Sequence, residues 1–319
     1  MQFLTVTSEY DGMRLDRFIN KALDMPKSAV WRMIRTGDIR IDNEKTSPES
    51  RISAGQTISV RSHEARLRTV EFIKTPPVEV IYEDELLLAV NKPYALKTQP
   101  YSAVMKDCLT ERVKYYLKDN IISSEIPFVP GAVNRLDTNT SGIVLFAKTP
   151  QSAENIYELS REGKIVKKYI TLVKGNFIKR HRATHWAVKD KDTNKMTLYD
   201  YKIPDSKEMT SIFEPIASKN GTTLISVRLI TGRTHQIRSQ LAHMGYPVAG
   251  DIKYGNETFN RYMLKTCQLK RQFLHLSYMN FKLWYSAGSI TLMSEPYSDL
   301  NMCLEKLGYD LRDATPQLF

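Results

Sequence analysis

Cysteine is scarce. Cys108, Cys267 and Cys303 are the only three in 319 residues. They are odd in number and far apart, so they offer neither a metal-binding pattern nor a disulfide framework, and they favour a reducing cytosol. Long apolar runs are missing as well, which excludes a helix that spans a membrane. The opening residues Met1 to Val6 lack the apolar core of a signal peptide. A cytoplasmic protein with no membrane association is expected. Acidic residues fall short of basic ones, 35 against 46, leaving a formal charge of +11. That excess favours a polyanionic partner, because neutralising phosphates releases counterions. With 42% hydrophobic and 25% charged residues the chain reads as ordinary globular protein rather than disorder. Its length suits a catalytic domain plus a smaller companion.

The stretch Asn134-Arg135-Leu136-Asp137-Thr138-Asn139-Thr140-Ser141-Gly142 is where the chemistry is expected. Ala132 and Val133 run in and Ile143 to Ala147 run out, and both suit buried strands. The polar loop between them is too long and too functionalised for a simple hairpin turn. Spacing alone also allows a plain turn whose Asp caps its own backbone.

Residues 1–62 read as a small first domain. Phe3 to Val6 suits a short strand. Leu15, Phe18, Ile19 and Ala22 lie on one face of a helix. Pro26 suits the start of a second helix and Gly37 its end. There Val30, Met33 and Ile34 face a core, while Ser28, Arg32 and Arg35 share another face. Ile39 to Ile41 and Thr57 to Val60 read as strands, with turn chemistry at Asp42-Asn43. Residues 63–77, ending in Pro76-Pro77, read as a linker, and residues 78–319 as the catalytic domain. In that domain Val78 to Tyr82 and Leu86 to Val90 suit strands, and Leu109 to Leu117 suits a helix. Thr149-Pro150 opens a helix running to about Arg161. Lys167 to Gly175 and Leu224 to Ile230 read as strands. Thr234 is expected to cap a helix carrying Ile237, Leu241 and Met244, with Gly245 ending it. His181 and His185 have the spacing of a metal pair, but their neighbours suit a strand and no third ligand stands nearby in sequence, so no metal is expected.

Arg135-Leu136-Asp137-x-x-Thr140-Ser141-Gly142 resembles the signature of the RluA-type pseudouridine synthases. Thr231-Gly232-Arg233-Thr234-His235-Gln236-Ile237-Arg238 resembles that family's second signature. Asn91-Lys92-Pro93 and Pro247-Val248-Ala249-Gly250-Asp251-x-x-Tyr254-Gly255 continue the likeness. The chain departs from the family at Asn134, where His is usual, at Ala95, which stands for a Gly, and at Gln99-Pro100, which stands for His-Pro. The first domain looks like the alpha-L RNA-binding module. The resemblance implies an α+β catalytic domain with a mixed, largely antiparallel sheet. It assigns Asp137 as nucleophile, Tyr169 as the ring that stacks on the target uracil, and Arg238 as the partner of the acid. A fixed guanidinium favours the ionised carboxylate. Arg135 would help hold the RNA opened around a flipped base. Lys27, Arg32, Arg35 and Arg40 would touch phosphates, with Arg233 and His235 structural or RNA-facing rather than catalytic, and Lys92 would meet RNA or solvent.

The activity implied is isomerisation of uridine to pseudouridine in RNA, most readily large-subunit ribosomal RNA. The N1–C1′ bond breaks, the uracil turns and C5 bonds to C1′, so no cofactor is required. No obligatory protein partner is implied. Rival readings are transfer RNA as substrate, a non-catalytic RNA-binding or ribosome-assembly factor on the same scaffold, and a uridine glycosidase that releases uracil.

Overall fold

Amphipathic spacing in the first sixty residues becomes a small layered unit. A computed structural model of the chain describes all residues except 63, 64, 103, 104, 106, 123–125, 191 and 311–319. Strand β1 (Gln2–Thr5) precedes helices α1 (Leu15–Ala22) and α2 (Lys27–Thr36), then β2 (Ile39–Ile41) and β3 (Thr57–Val60). The three strands form a sheet in the order β1-β3-β2. Leu15, Phe18, Ile19 and Ala22 are all buried, as are Val30, Met33 and Ile34 of α2. Burying a side chain of this kind contributes about 1.5–3 kcal/mol. Gly37 ends α2 in the left-handed conformation, which a glycine adopts without a Cβ clash. Asp42 and Asn43 both have positive φ and reverse the chain.

The segment expected to be a linker is not slack where it is described. Arg66 O accepts from Asp24 N, and Arg68 N donates to Ala22 O. Leu67 bridges Leu23, and Val70 and Phe72 pack on the larger core that follows. The extended backbone thus finds its hydrogen-bond partners at the end of α1. Its first two residues, 63 and 64, lie outside the described ones.

The larger part contains, in chain order, β4 (Glu79–Glu83), β5 (Leu87–Lys92), α3 (Leu109–Tyr116), α4 (Lys118–Ile122), β6 (Ser141–Ala147), α5 (Pro150–Arg161), β7 (Val166–Lys174), β8 (His181–Lys189) and β9 (Met196–Tyr199). It continues with β10 (Lys207–Lys219), β11 (Thr222–Leu229), α6 (Gln236–His243), α7 (Glu257–Cys267), β12 (Leu274–Lys282), β13 (Ser289–Met293) and α8 (Ser298–Lys306). Among the described residues ten strands make one sheet in the order β4-β5-β6-β12-β7-β11-β10-β8-β9, with β13 also on β12. Only β6 and β12 run parallel; the other pairs are antiparallel. The fold is therefore α+β with a mixed, largely antiparallel sheet. Strands β5 and β6 are buried along their whole length, which explains why they read as unbroken apolar runs. Thr149 and Ser152 cap α5 reciprocally and Pro150 opens it, as their order in sequence predicts.

Gly142 decides how β12 approaches β6. It has φ +119°, and a Cβ there would lie 2.3 Å from Leu276 O and 2.6 Å from Leu276 N. Only glycine permits that approach. The run-in is less regular than expected. Ala132 makes only an isolated bridge to Phe146, because Val133 bonds Leu145 and the chain then turns into the Asp137 loop.

Candidate active site

The Asp137 loop is held from several sides. Asn134 is buried and bonds both neighbours of Val144: its Nδ2 donates to Ile143 O at 3.0 Å and its Oδ1 accepts from Leu145 N at 3.0 Å. Asn in place of the family's usual His therefore acts as a clasp at the loop entrance. Thr98 Oγ1 donates to Leu136 O and accepts from Leu136 N, at 2.9 and 3.1 Å. Gln272 Nε2 donates to Thr140 Oγ1 at 2.8 Å, and Arg271 NH1 donates to Ser141 Oγ at 3.1 Å. Thr140 N donates to Asp137 O, so a turn is present at this acid, inside a larger site.

Lys92 corrects a sequence expectation. It meets neither RNA nor solvent; it is 0% exposed. Its Nζ donates to Pro93 O, Leu96 O and Thr138 O at 2.8, 2.7 and 3.2 Å. Three acceptors match the three donors of an ammonium. Burial, helped by Arg271 and opposed by Asp137, pulls its pKa down to about 7. Lys92 thereby ties the loop after β5 to the residue next to Asp137. In the same loop Ala95 has φ +59°, so it keeps the left-handed conformation that suits the family's glycine, at a cost of about 1–2 kcal/mol.

Arg238 reaches Asp137 from a segment 101 residues away: NH1 donates to Oδ2 at 2.7 Å. The other edge of the same guanidinium is gripped by Asp251, Nε to Oδ2 at 2.6 Å and NH2 to Oδ1 at 2.9 Å. Asp251 Oδ1 also accepts from Lys253 N and Tyr254 N. Burial would push the Asp251 carboxyl up, but Arg238 and these backbone amides hold it below the usual range. Burial likewise opposes the charge on Arg238, yet Asp251 and Asp137 more than offset it and raise its pKa. The guanidinium is also 5.3 Å from the Tyr254 ring centre. In sequence Asp251 is only one member of its motif; its role comes from the contact with Arg238.

Tyr169 lies on β7, buried in the large core. Burial, with the charge of Asp137 adding to it, raises its phenol pKa. Arg135 is exposed beside the loop. Arg233 is exposed, its Nε 3.4 Å from Glu208 O.

His235 stands beside the acid, at the start of α6. Its side chain is 11% exposed and its Nε2 is 4.0 Å from Asp137 Oδ2. Tyr254 Oη accepts from Met196 N at 2.8 Å and meets His235 Nδ1 at 2.9 Å. Burial lowers the His235 pKa, against the pull of Asp137. His235 rather than Thr234 is the N-cap of α6, in the left-handed region, with no side-chain cap bond. Gln236 braces the entry instead. Its Oε1 accepts from Thr231 Oγ1 and Arg233 N, both at 2.9 Å, and its Nε2 donates to Thr210 O at 3.0 Å.

Lys27, Arg32 and Arg35 are exposed along α2. Arg40 is engaged elsewhere, donating to Gly37 O and Asn43 O at 2.9 and 3.1 Å. Its guanidinium therefore fastens the chain reversal, which leaves it less available to phosphates than expected. His275 is a satisfied core side chain: Ser141 Oγ lies 2.9 Å from Nδ1 and Ser294 O 3.0 Å from Nε2.

His185 gathers two residues that its sequence neighbourhood does not supply. One ligand atom each from His185, Asp200 and His243 lie within 4.8 Å of one another. Their hydrogen bonds argue for a polar cluster. Gln240 Oε1 accepts from Ser211 Oγ, so its Nε2 faces Met209 O and His185 Nδ1, at 3.0 and 3.1 Å. That amide donates to Nδ1, leaving the neutral imidazole's proton on Nε2, toward Asp200 rather than toward an ion.

Residues 86–243 match the family described as RNA pseudouridylate synthase. Ribosomal large subunit pseudouridine synthase C of Vibrio cholerae is 28% identical over 319 residues, covering 96% of this chain and 97% of that one. The protein of the same name in Escherichia coli K12 is 26% identical, again covering 96% of this chain and 97% of its own. Among solved structures, human RNA pseudouridylate synthase domain containing 4 superposes with TM-score 0.59 at 20% identity, covering 72% of this chain and 92% of that one, and so shares the fold. No helix among the described residues is long and apolar enough to cross a membrane. Residues 86–243 are thus a domain of the RNA pseudouridylate synthase family, and the likeness to the ribosomal large subunit relatives runs along nearly the whole chain.

Proposed function

We propose that this enzyme isomerises uridines of large-subunit ribosomal RNA, with Asp137 as the nucleophilic carboxylate. The single observation that carries the reading is the pairing of Asp137 with Arg238 at 2.7 Å across 101 residues of chain. An aspartate on a clamped loop, facing a guanidinium that a second acid orients, is arranged for attack rather than for solvation. The uracil would sit on Tyr169, and Arg135 would occupy the opened RNA stack. Atoms balance within the nucleotide, because the base leaves C1′ through N1 and returns through C5. The ribosomal substrate is supported by the relatives that match along nearly their whole length, which are named as ribosomal large subunit pseudouridine synthases. We assign RNA binding in the first domain to α2, in an alpha-L-like module. The three cysteines are buried and unpaired, consistent with a cytoplasmic setting.

The test is tritium release from C5-tritiated transcripts of large-subunit ribosomal RNA, with transfer RNA in parallel. Wild-type protein is expected to release tritium from the ribosomal transcript and to leave no free uracil. Asp137→Asn is expected to bind the same RNA within about two-fold and to lose at least about a thousand-fold in turnover. Turnover by that variant would remove Asp137 from its role. Release from transfer RNA alone would change the substrate, and free uracil would indicate glycosidase chemistry.

A further inference from the structure

The first domain carries a feature that phosphate binding alone does not explain. A groove of about 600 Å³ runs along α2, lined by Lys27, Ser28, Trp31, Arg32, Arg35 and Thr36. Three cations line it and no acid does. Lys27, Trp31 and Arg35 stand at i, i+4 and i+8, one row on the helix, with successive members about 6 Å apart along the axis. The indole therefore sits between two cations. The Arg35 guanidinium lies 5.4 Å from the Trp31 ring centre. Trp31 is only partly buried, although the helix already buries Val30, Met33 and Ile34 in the core. The nearby acid, Asp16, is buried; Arg14 holds it with two hydrogen bonds of 3.1 and 2.8 Å, and the Trp31 indole N–H also donates to it, which anchors the ring by its edge and leaves its faces unused by that bond.

We propose that Trp31 is a stacking platform for an unpaired nucleotide of the RNA, with Lys27, Arg32 and Arg35 meeting the phosphates on either side. The inference rests on the RNA-modifying reading and narrows it. Paired bases present edges and a phosphate backbone, whereas a base that has left its helix offers its π-face. A cationic groove without an aromatic floor would hold any duplex. With Trp31 in the floor, the groove prefers RNA carrying a bulge or an open loop. An acidic peptide would also satisfy the three cations, but it would leave the indole without a planar partner.

The experiment uses the full-length chain with Trp186→Phe and Trp284→Phe, which leaves Trp31 as its sole tryptophan. Fluorescence is titrated with a hairpin bearing a one-nucleotide bulge, with the same stem fully paired, and with poly-glutamate. Saturable quenching by the bulged hairpin is expected. Trp31→Ala in the natural background is expected to weaken binding of the bulged hairpin about ten-fold, and Trp31→Phe to restore most of it. The Ala variant should affect the paired stem by less than about two-fold and leave the salt dependence unchanged, whereas Arg35→Ala lowers the salt slope by about one. Equal losses on both RNAs would overturn the proposal in favour of a phosphate surface. Quenching by poly-glutamate and not by RNA would overturn it in favour of a protein partner. Should the Ala variant not fold, the quenching experiment still decides, since it leaves Trp31 intact. Tritium release is measured on the same preparations. Turnover without a Trp31 effect removes only this inference, while release from neither ribosomal nor transfer RNA removes the substrate reading itself.

Discussion

Asp251 grips Arg238 along one edge of the guanidinium, at 2.6 and 2.9 Å, while the opposite nitrogen of the same group donates to Asp137 at 2.7 Å. One planar cation thus connects a structural acid to the reactive one. The planarity matters, because it converts the orientation set by Asp251 into a position at Asp137.

Asp251→Asn should therefore act through Arg238. Breaking a buried pair leaves an uncompensated charge, a loss of about 3 kcal/mol in stability. A guanidinium displaced by a fraction of an ångström should lower turnover about a hundred-fold. RNA affinity should stay within about two-fold. Urea denaturation, single-turnover tritium release and filter binding would check the three parts.

Lys92 has a pH signature. Its pKa falls from 10.5 to about 7 on folding. Between those values the unfolded chain holds a proton that the folded chain has released, so this residue makes stability rise with pH, by up to about 1.4 kcal/mol per unit. Its contribution is fully present above 10.5 and is lost as pH falls through about 7. Lys92→Met should flatten that rise relative to wild type in urea titrations from pH 6 to 10. It should also lower turnover, since Thr138 O next to Asp137 loses its donor.

Asn134→Ala strips partners from a buried carbonyl, Ile143 O, and a buried amide, Leu145 N. Each unpaired group costs about 1–3 kcal/mol. A loss of about 2–4 kcal/mol is expected by urea denaturation, with turnover falling as the loop entrance loosens. Asn134→His, which offers one donor and one acceptor, should recover part of both.

Gly142→Ala should not yield folded protein. The new Cβ would lie 2.3 Å from the Leu276 carbonyl oxygen, and the positive φ adds strain. Neither strand can yield, because the contact is backbone on backbone inside the sheet. The expected cost exceeds about 4 kcal/mol, a large part of a typical domain's stability. Soluble yield and far-UV circular dichroism would check it.

The sequence alone determined the local matters. Period fixed the faces of α1 and α2, apolar runs marked β5 as a strand and β6 as a buried one, and Thr149-Pro150 marked the start of α5. The two signatures pointed to Asp137 and Arg238 because their residue order carries a resemblance that needs no coordinates. Tertiary structure decided what those residues touch. Lys92 reads as a polar end to a strand, yet it is buried, because the 93–96 turn and the Asp137 loop fold over it and supply carbonyls. His235, whose sequence position names no contact, stands beside the acid. Thr234 has a capping residue's chemistry, but Gln236 makes the bonds that brace that turn. Asp251 had no sequence signal beyond its motif, since its partner lies on another element. Local patterning records which side of a strand or helix avoids water. Pairing between distant side chains depends on which strands become neighbours, and here β12 and β7 separate β6 from β11, an order no window of sequence contains.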